Sequence, residues 1–157
     1  LQMMQTVPLG EALPTAIADG DCLRYYPGYA GAALDTLRRD IPQDPVAERH
    51  HMQLLCVQRL DGGLTIGDTH EYTEPFAFDV HEEPYTYLAE VMHTFLGRPL
   101  PPIIRRWAGV YSQCVDADQL VCRTSPADGV WVVTGPGGRG MTMGPALAEQ
   151  TADQIGL

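Results

Sequence analysis

Apolar positions along the chain recur in two periods. Residues 1–7 form a strand-like run, although the methionines in it suit a helix as well. Residues 51–60 and 64–68 are two more apolar runs, and Asp61-Gly62-Gly63 between them is a hairpin signal. Strand character returns at residues 103–115, 119–123 and 130–134. The helical period is clearest over residues 82–96, where Tyr85, Leu88, Val91, Met92 and Phe95 fall three and four apart and Gly97 stands at the stop. Residues 32–39 form a shorter helix, ended by Pro42 and Pro45. A glycine-rich loop over residues 135–140 leads to a last helix at 145–155.

The intervening stretches are punctuated. Pro8, Gly10, Pro14 and Gly20 break residues 8–21, and Tyr25-Tyr26-Pro27-Gly28-Tyr29 reads as an aromatic turn. There is no internal repeat and no low-complexity tract. Strands separated by single helices predict an α+β fold with a mostly antiparallel sheet and flanking helices. A strand, glycine loop and helix end the chain.

Length and composition narrow this further. At 157 residues with 45% hydrophobic and 19% charged residues, the chain reads as one globular domain. Twenty acidic against ten basic residues give a net charge of -10. That disfavours a nucleic-acid groove and docking on anionic lipid, and leaves a solvated acidic surface. Cys22, Cys56, Cys114 and Cys122 form no Cys-x-x-Cys pair, so they read as reduced thiols of a cytoplasmic protein. No apolar run approaches the ~20 residues a membrane span needs, and no secretory leader pattern is present. The chain opens at Leu1, directly in a strand-like run, as the later part of a longer protein would.

Residues 130–146 carry the most chemistry. Glycines after a strand let a ligand approach the backbone, and a helix N-terminus offers free N–H groups to an electron-rich edge. The same residues also suit a tight strand-to-helix turn with no ligand. No acidic residue follows at the distance a dinucleotide-binding unit needs.

His70 and Glu71 read either as polar groups of a pocket or as the end of a hairpin, with the histidine held by a backbone carbonyl. His50 and His51 point to opposite faces in a strand, and neither Glu48–His50 nor His70–Glu71 has the spacing of a helical zinc motif, so no metal site is expected. Arg105 and Arg106 also face oppositely, so only one of them reaches a pocket. Trp107 and Trp131 read as core.

Gly135-Pro136-Gly137-Gly138-Arg139-Gly140-Met141-Thr142, with Pro145-Ala146 after it, resembles the last FAD-contacting segment of the D-amino-acid-oxidase-like superfamily. In that superfamily the segment is typically Gly-x-x-Gly-His-Gly and its backbone lines the flavin ring. Arg139 stands where the histidine is common, so that residue's role is not carried over. Arg106-Trp107-Ala108-Gly109-Val110-Tyr111 and Asp116 resemble a second marker, where a strand crosses the substrate pocket. Gly67-Asp68-Thr69-His70-Glu71-Tyr72 is similar to a Gly-Asp-Ser-His-Glu-Tyr signature of a phosphonate-linked subfamily, as is Leu1-Gln2-Met3-Met4. Tyr111 stands where glycine-oxidising relatives place an arginine, and Thr142 where sarcosine-oxidising relatives place a lysine.

The resemblance implies the C-terminal part of a FAD-dependent oxidoreductase that oxidises the C–N bond of a small amine, with an aminophosphonate as the substrate suggested. Its partner is the N-terminal FAD-binding half. Residues 1–102 correspond to a portion of the substrate-binding domain, and residues 103–157 to the strands and helix that return to the FAD-binding domain. Gly137, Gly138, Arg139, Gly140, Met141 and Thr142 are the implied cofactor contacts. His70, Arg106, Tyr111 and Thr142 are the implied substrate contacts, and no catalytic residue is identified. Fragment activity without the other half is not expected. The alternatives are a D-amino-acid, glycine or sarcosine oxidase or dehydrogenase, and a non-catalytic α+β ligand-binding domain.

Overall fold

Strand β1 (Gln2–Pro8) alternates buried Gln2, Met4 and Thr6 with half-buried Met3, Gln5 and Val7. This is the two-residue period of a sheet with one face on a core. In the computed structural model, which describes residues 1–72, 77–116 and 118–156, β1 lies inside a five-stranded sheet. It pairs antiparallel with β4 (Gly63–Gly67) on one side and β5 (Ile103–Ala108) on the other. Beyond β4 come β3 (Leu55–Gln58) and the short β2 (Ile17–Ala18), giving the order β2-β3-β4-β1-β5, with every pairing antiparallel. The α+β reading is therefore correct.

The β3–β4 hairpin forms where Asp61-Gly62-Gly63 predicts it. The Asp61 carboxylate accepts from the Gly63 amide at 2.9 Å, and the Arg59 amide donates to the Gly63 carbonyl at 2.7 Å. Strand β3 begins later than the apolar run suggests. His51 has φ 46, which breaks the extended conformation ahead of Leu55.

The helices α1 (Cys22–Tyr25), α2 (Ala32–Asp40) and α3 (Pro45–Arg49) are short. Asp44 caps α3, accepting from the Val46 amide at 2.8 Å. Helix α4 (Glu82–Leu96) matches its expected bounds and buries Pro84, Tyr85, Leu88 and Met92. Gly97 closes it, its amide donating to the His93 carbonyl at 2.8 Å. Phe95, expected on the buried stripe, is exposed.

The core lies between α4 and one sheet face. Met4, Leu54, Cys56, Leu64, Ile66, Leu88 and Met92 are all essentially inaccessible. Register assigns the two faces. Cys56, Ile66, Met4 and Arg106 lie in one row on the α4 side. Leu55, Gly67, Met3 and Trp107, then Val57, Thr65, Gln5 and Arg105, form two rows on the opposite face.

The described chain divides into two compact units, Leu1–Gly109 and Val110–Leu157. In the second unit β6 (Cys122–Ala127) and β7 (Val130–Thr134) form an antiparallel hairpin, and helix α5 spans Gly140–Ile155. Helix α5 starts earlier than the expected residue 145. Pro145 lies inside it, where the ring gives up one backbone bond, the one to residue 141. The apolar run at 103–115 ends as a strand at Ala108. Among the described residues no helix is long and apolar enough to cross a membrane.

Candidate functional site

His70 is buried in the first unit beside the end of β4. Its Nδ1 lies 2.9 Å from the His51 carbonyl, which can only accept, so Nδ1 carries the proton and Nε2 is left as an acceptor. Nε2 faces the Asp68 carboxyl at 3.9 Å, and the Tyr25 ring stacks on the imidazole at 3.8 Å. Burial holds the His70 imidazole down at about 4, so the ring is neutral at pH 7. Burial pushes the Asp68 carboxyl up to about 6. Among the described residues the buried Asp68 Oδ1 and Gln53 Oε1 have no hydrogen-bond partner. A proton on Asp68 gives this acceptor-rich cluster a donor.

The His70 amide donates to the His50 carbonyl at 2.9 Å, which ties the cluster to a chain of ion pairs. His50 Nδ1 meets Glu71 at 2.6 Å, and its Nε2 lies 3.5 Å from Glu83, which also pairs with Arg49 at 2.8 Å. Tyr25 and His51 also line a cavity of about 400 Å³ with Arg24, Arg38, Met52 and Tyr72. Sequence reasoning flagged the Tyr25 stretch only as a turn. The signal that joins it to His70 is the stacked ring pair, which is invisible until the chain is folded.

Arg106 lies on the α4 side of β5. Its Nη1 reaches both Glu82 oxygens at 3.1 and 3.0 Å, and its guanidinium sits 5.1 Å above the Tyr85 ring. It borders a groove of about 640 Å³ that Tyr85, Glu90, His93 and Ile103 also line. Arg105 lies on the opposite sheet face, 4.9 Å above the Trp107 ring. Adjacent strand residues thus take the two faces, as their alternation requires.

The second unit holds the glycine turn. Gly137, Gly138 and Arg139 form a 3-10 turn that runs into α5 at Gly140. Gly135 has φ 84 and Gly137 φ 63, a region that favours glycine. A Cβ at Gly135 would sit 2.7 Å from Cys114 Sγ, and one at Gly137 would sit 3.1 Å from Gln113 Oε1. The positive φ favours glycine at both positions, and at Gly135 the neighbouring Cys114 also leaves no room for a Cβ. Gly138, Met141 and Thr142 are exposed, and no side chain caps the N-terminus of α5.

Gly135, Gly137 and Gly140 carry the letters of a dinucleotide-binding turn. Yet β7 is one strand of a two-stranded antiparallel hairpin, not the opening strand of a parallel unit. Tyr111, in the same unit, is partly exposed. Among the described residues no group of three or more His, Cys, Asp or Glu side chains could hold a metal ion.

The family model for FAD dependent oxidoreductases matches residues 20–154. The chain belongs to this family. Comparison with curated proteins and with solved structures finds no match. For a FAD-dependent oxidoreductase, the open end of α5 is the feature of the second unit that fits the cofactor. The Gly140 amide donates to the Gly137 carbonyl and the Gly137 amide to the Ser112 carbonyl, so the exposed Gly138 at the start of the turn and the positive dipole end are what this segment offers an electron-rich edge.

Proposed function

We propose that this FAD-dependent oxidoreductase oxidises the C–N bond of a small amine, and that the amine is an aminophosphonate related to 2-aminoethylphosphonate. The observation that carries the flavin part of this reading is the family match over residues 20–154, joined to an exposed glycine turn that leads into α5. Gly137, Gly138, Arg139, Gly140, Met141 and Thr142 are the residues proposed to hold the flavin edge. FAD, when bound, supplies the acceptor for the hydride that leaves the substrate carbon.

The chain's own part is binding and orientation. In the first unit, His70 is neutral at pH 7 and suits an amine that must itself be neutral for hydride to leave. One arginine of the Arg105–Arg106 pair supplies the cation for the substrate's anion. In the second unit, Tyr111 and Thr142 stand where amino-acid-oxidising relatives carry a cation. Neither can form the bidentate pair that an α-amino carboxylate uses, which favours the aminophosphonate over glycine, sarcosine or a D-amino acid.

We further propose that an N-terminal FAD-binding half covers the apolar surface of the second unit. That surface includes a groove of about 520 Å³ lined by Val133, Pro136, Leu147 and Ile155. The enzyme is proposed to be cytoplasmic, with its thiols reduced.

Anaerobic bleaching of the flavin in the full-length protein tests the reading. Rapid loss of visible absorbance with 2-aminoethylphosphonate, and slow loss with glycine, sarcosine and D-alanine, is expected. Bleaching by an amino acid alone returns the substrate to the amino-acid class. A full-length protein that holds no flavin overturns the reading.

A further inference from the structure

We propose that Arg105, on the sheet face opposite α4, anchors the anionic end of the substrate. The inference rests on the amine-oxidising reading and deepens it by naming the residue and the oxyanion it takes. All ten basic residues of the chain are arginines. The others donate to a carboxylate, hydroxyl, amide or backbone oxygen. Among the described residues Arg105 does not; its guanidinium instead lies 4.9 Å above the Trp107 ring. An aromatic face orients a guanidinium and leaves its N–H edge open to a ligand.

The surroundings sharpen the point. Acidic residues outnumber basic ones by 20 to 10. Yet the two rows on this face, with Met3, Gln5, Val57 and Thr65 beside Arg105 and Trp107, contain no carboxylate. A cation within two strand rows that hold no carboxylate is a local positive site within a strongly negative molecule, which is what an entering anion needs. Gln5 stands directly across from Arg105 in register, and its Nε2 donates to Thr65 Oγ1 at 3.2 Å. Its carbonyl oxygen thus remains available to an ammonium or amine N–H. Met3 lies over Gly67, and Val57 adds apolar surface that disfavours the charged amine.

Arg106 differs on each count, with a carboxylate partner and a place on the α4 face. An exposed arginine that only solvates the surface predicts no effect when it is removed.

The test is calorimetric titration of the full-length protein with methylphosphonate and, separately, with acetate. Arg105→Met is expected to weaken methylphosphonate binding by more than about tenfold, the scale of a lost charge-assisted contact. Arg105→Lys is expected to fall between the two, since it keeps the charge and loses the fork. Arg106→Met is expected to bind as the wild type does, and thermal melts check that each variant is folded. Tight binding of acetate alone, still lost in Arg105→Met, keeps the anchor and removes the aminophosphonate from the proposed function. Wild-type binding in Arg105→Met, loss in Arg106→Met instead, or no binding of either anion by the wild-type protein overturns the proposal. These titrations do not require turnover, so they stand apart from the bleaching experiment.

Discussion

The two units of the chain use similar materials to different ends. In Leu1–Gly109 the inner face of the sheet meets α4, and Met4, Leu54, Leu64, Ile66, Leu88 and Met92 are almost wholly hidden. In Val110–Leu157 the strand β7 is as apolar as any in the molecule, yet Val130, Trp131, Val132 and Val133 are 47%, 46%, 40% and 37% exposed. Helix α5 buries no residue. Apolar periodicity states that a face is to be covered; it does not state by what. The first unit carries its own cover in α4, while the second presents its apolar face outward. This exposed apolar surface is the one that the proposed FAD-binding half would cover.

Core truncation breaks the comparison most forcefully. Leu88→Ala removes a fully buried side chain between α4 and the sheet and is expected to destabilise the first unit by about 2–5 kcal/mol in urea melts. Val132→Ala, on the exposed strand, is expected to change the stability of this 157-residue chain by less than about 0.5 kcal/mol. In a longer protein that carries the proposed FAD-binding half, the same Val132 change is expected to cost roughly 1 kcal/mol or more, because there the face is proposed to be covered. Equal costs for Val132→Ala in the two settings remove the covering half from the account.

How far the sequence revealed this follows the same divide. The β3–β4 hairpin, helix α4 and strand β7 were legible because local chemistry decides each: an Asp-Gly turn, a three-and-four apolar stripe with a closing glycine, and a β-branched run. The hairpin β6–β7 carries the same kind of signal in Asp128-Gly129. The extent of β5 was not legible: the apolar run continues to residue 115, but the strand ends at Ala108. The glycine turn was legible as a position, but not the reason for it. Only the fold shows Cys114 and Gln113 beside Gly135 and Gly137. The His70 surroundings were half legible. The letters around His70 pointed to it, but the stacked Tyr25 and Gln53, whose Oε1 has no partner among the described residues, come from distant segments.

The buried Asp68–His70 pair offers a finer break within the first unit, because its two members respond to pH in opposite directions. The fold favours the neutral Asp68 carboxyl, whose acidity moves from the ordinary 3.8 up to about 6. Its contribution to stability is complete below about 3.8 and is lost as pH rises through about 6. The fold favours the neutral His70 ring, moved from 6.5 down to about 4. That contribution is complete above about 6.5 and is lost as pH falls through about 4. In the wild type the two partly cancel between pH 4 and 6. Relative to wild type, Asp68→Asn is expected to gain stability as pH rises across this window, and His70→Gln to lose it, each by on the order of 2 kcal/mol. Denaturant midpoints at pH 4, 5, 6 and 7 measure the difference. Parallel profiles for the two variants remove the opposed burial of the pair.

The smallest effect in stability separates the two adjacent arginines. Arg106 pairs with Glu82, but the side chains are 39% and 68% exposed, and such pairs are worth roughly 0–1 kcal/mol. The Tyr85 ring beneath the guanidinium adds about 0.5–1 kcal/mol at an exposed site. Arg106→Met keeps the aliphatic stem over Tyr85 and gives up both charge contacts, so a loss of roughly 0.5–2 kcal/mol is expected. Glu82→Gln removes the same ion pair from the other side. A double-mutant cycle between them is expected to return a coupling energy of no more than about 1 kcal/mol, falling further in high salt. Turnover of an anionic amine by the full-length enzyme gives the complementary reading. With Arg105 as the anchor, kcat/KM is expected to remain close to wild type in Arg106→Met. A fall of about tenfold or more, without a matching loss of stability, assigns the anion to the α4 face instead. The Glu82 carboxylate then has a different meaning: it competes with the substrate for Arg106, and Glu82→Gln raises kcat/KM rather than leaving it unchanged.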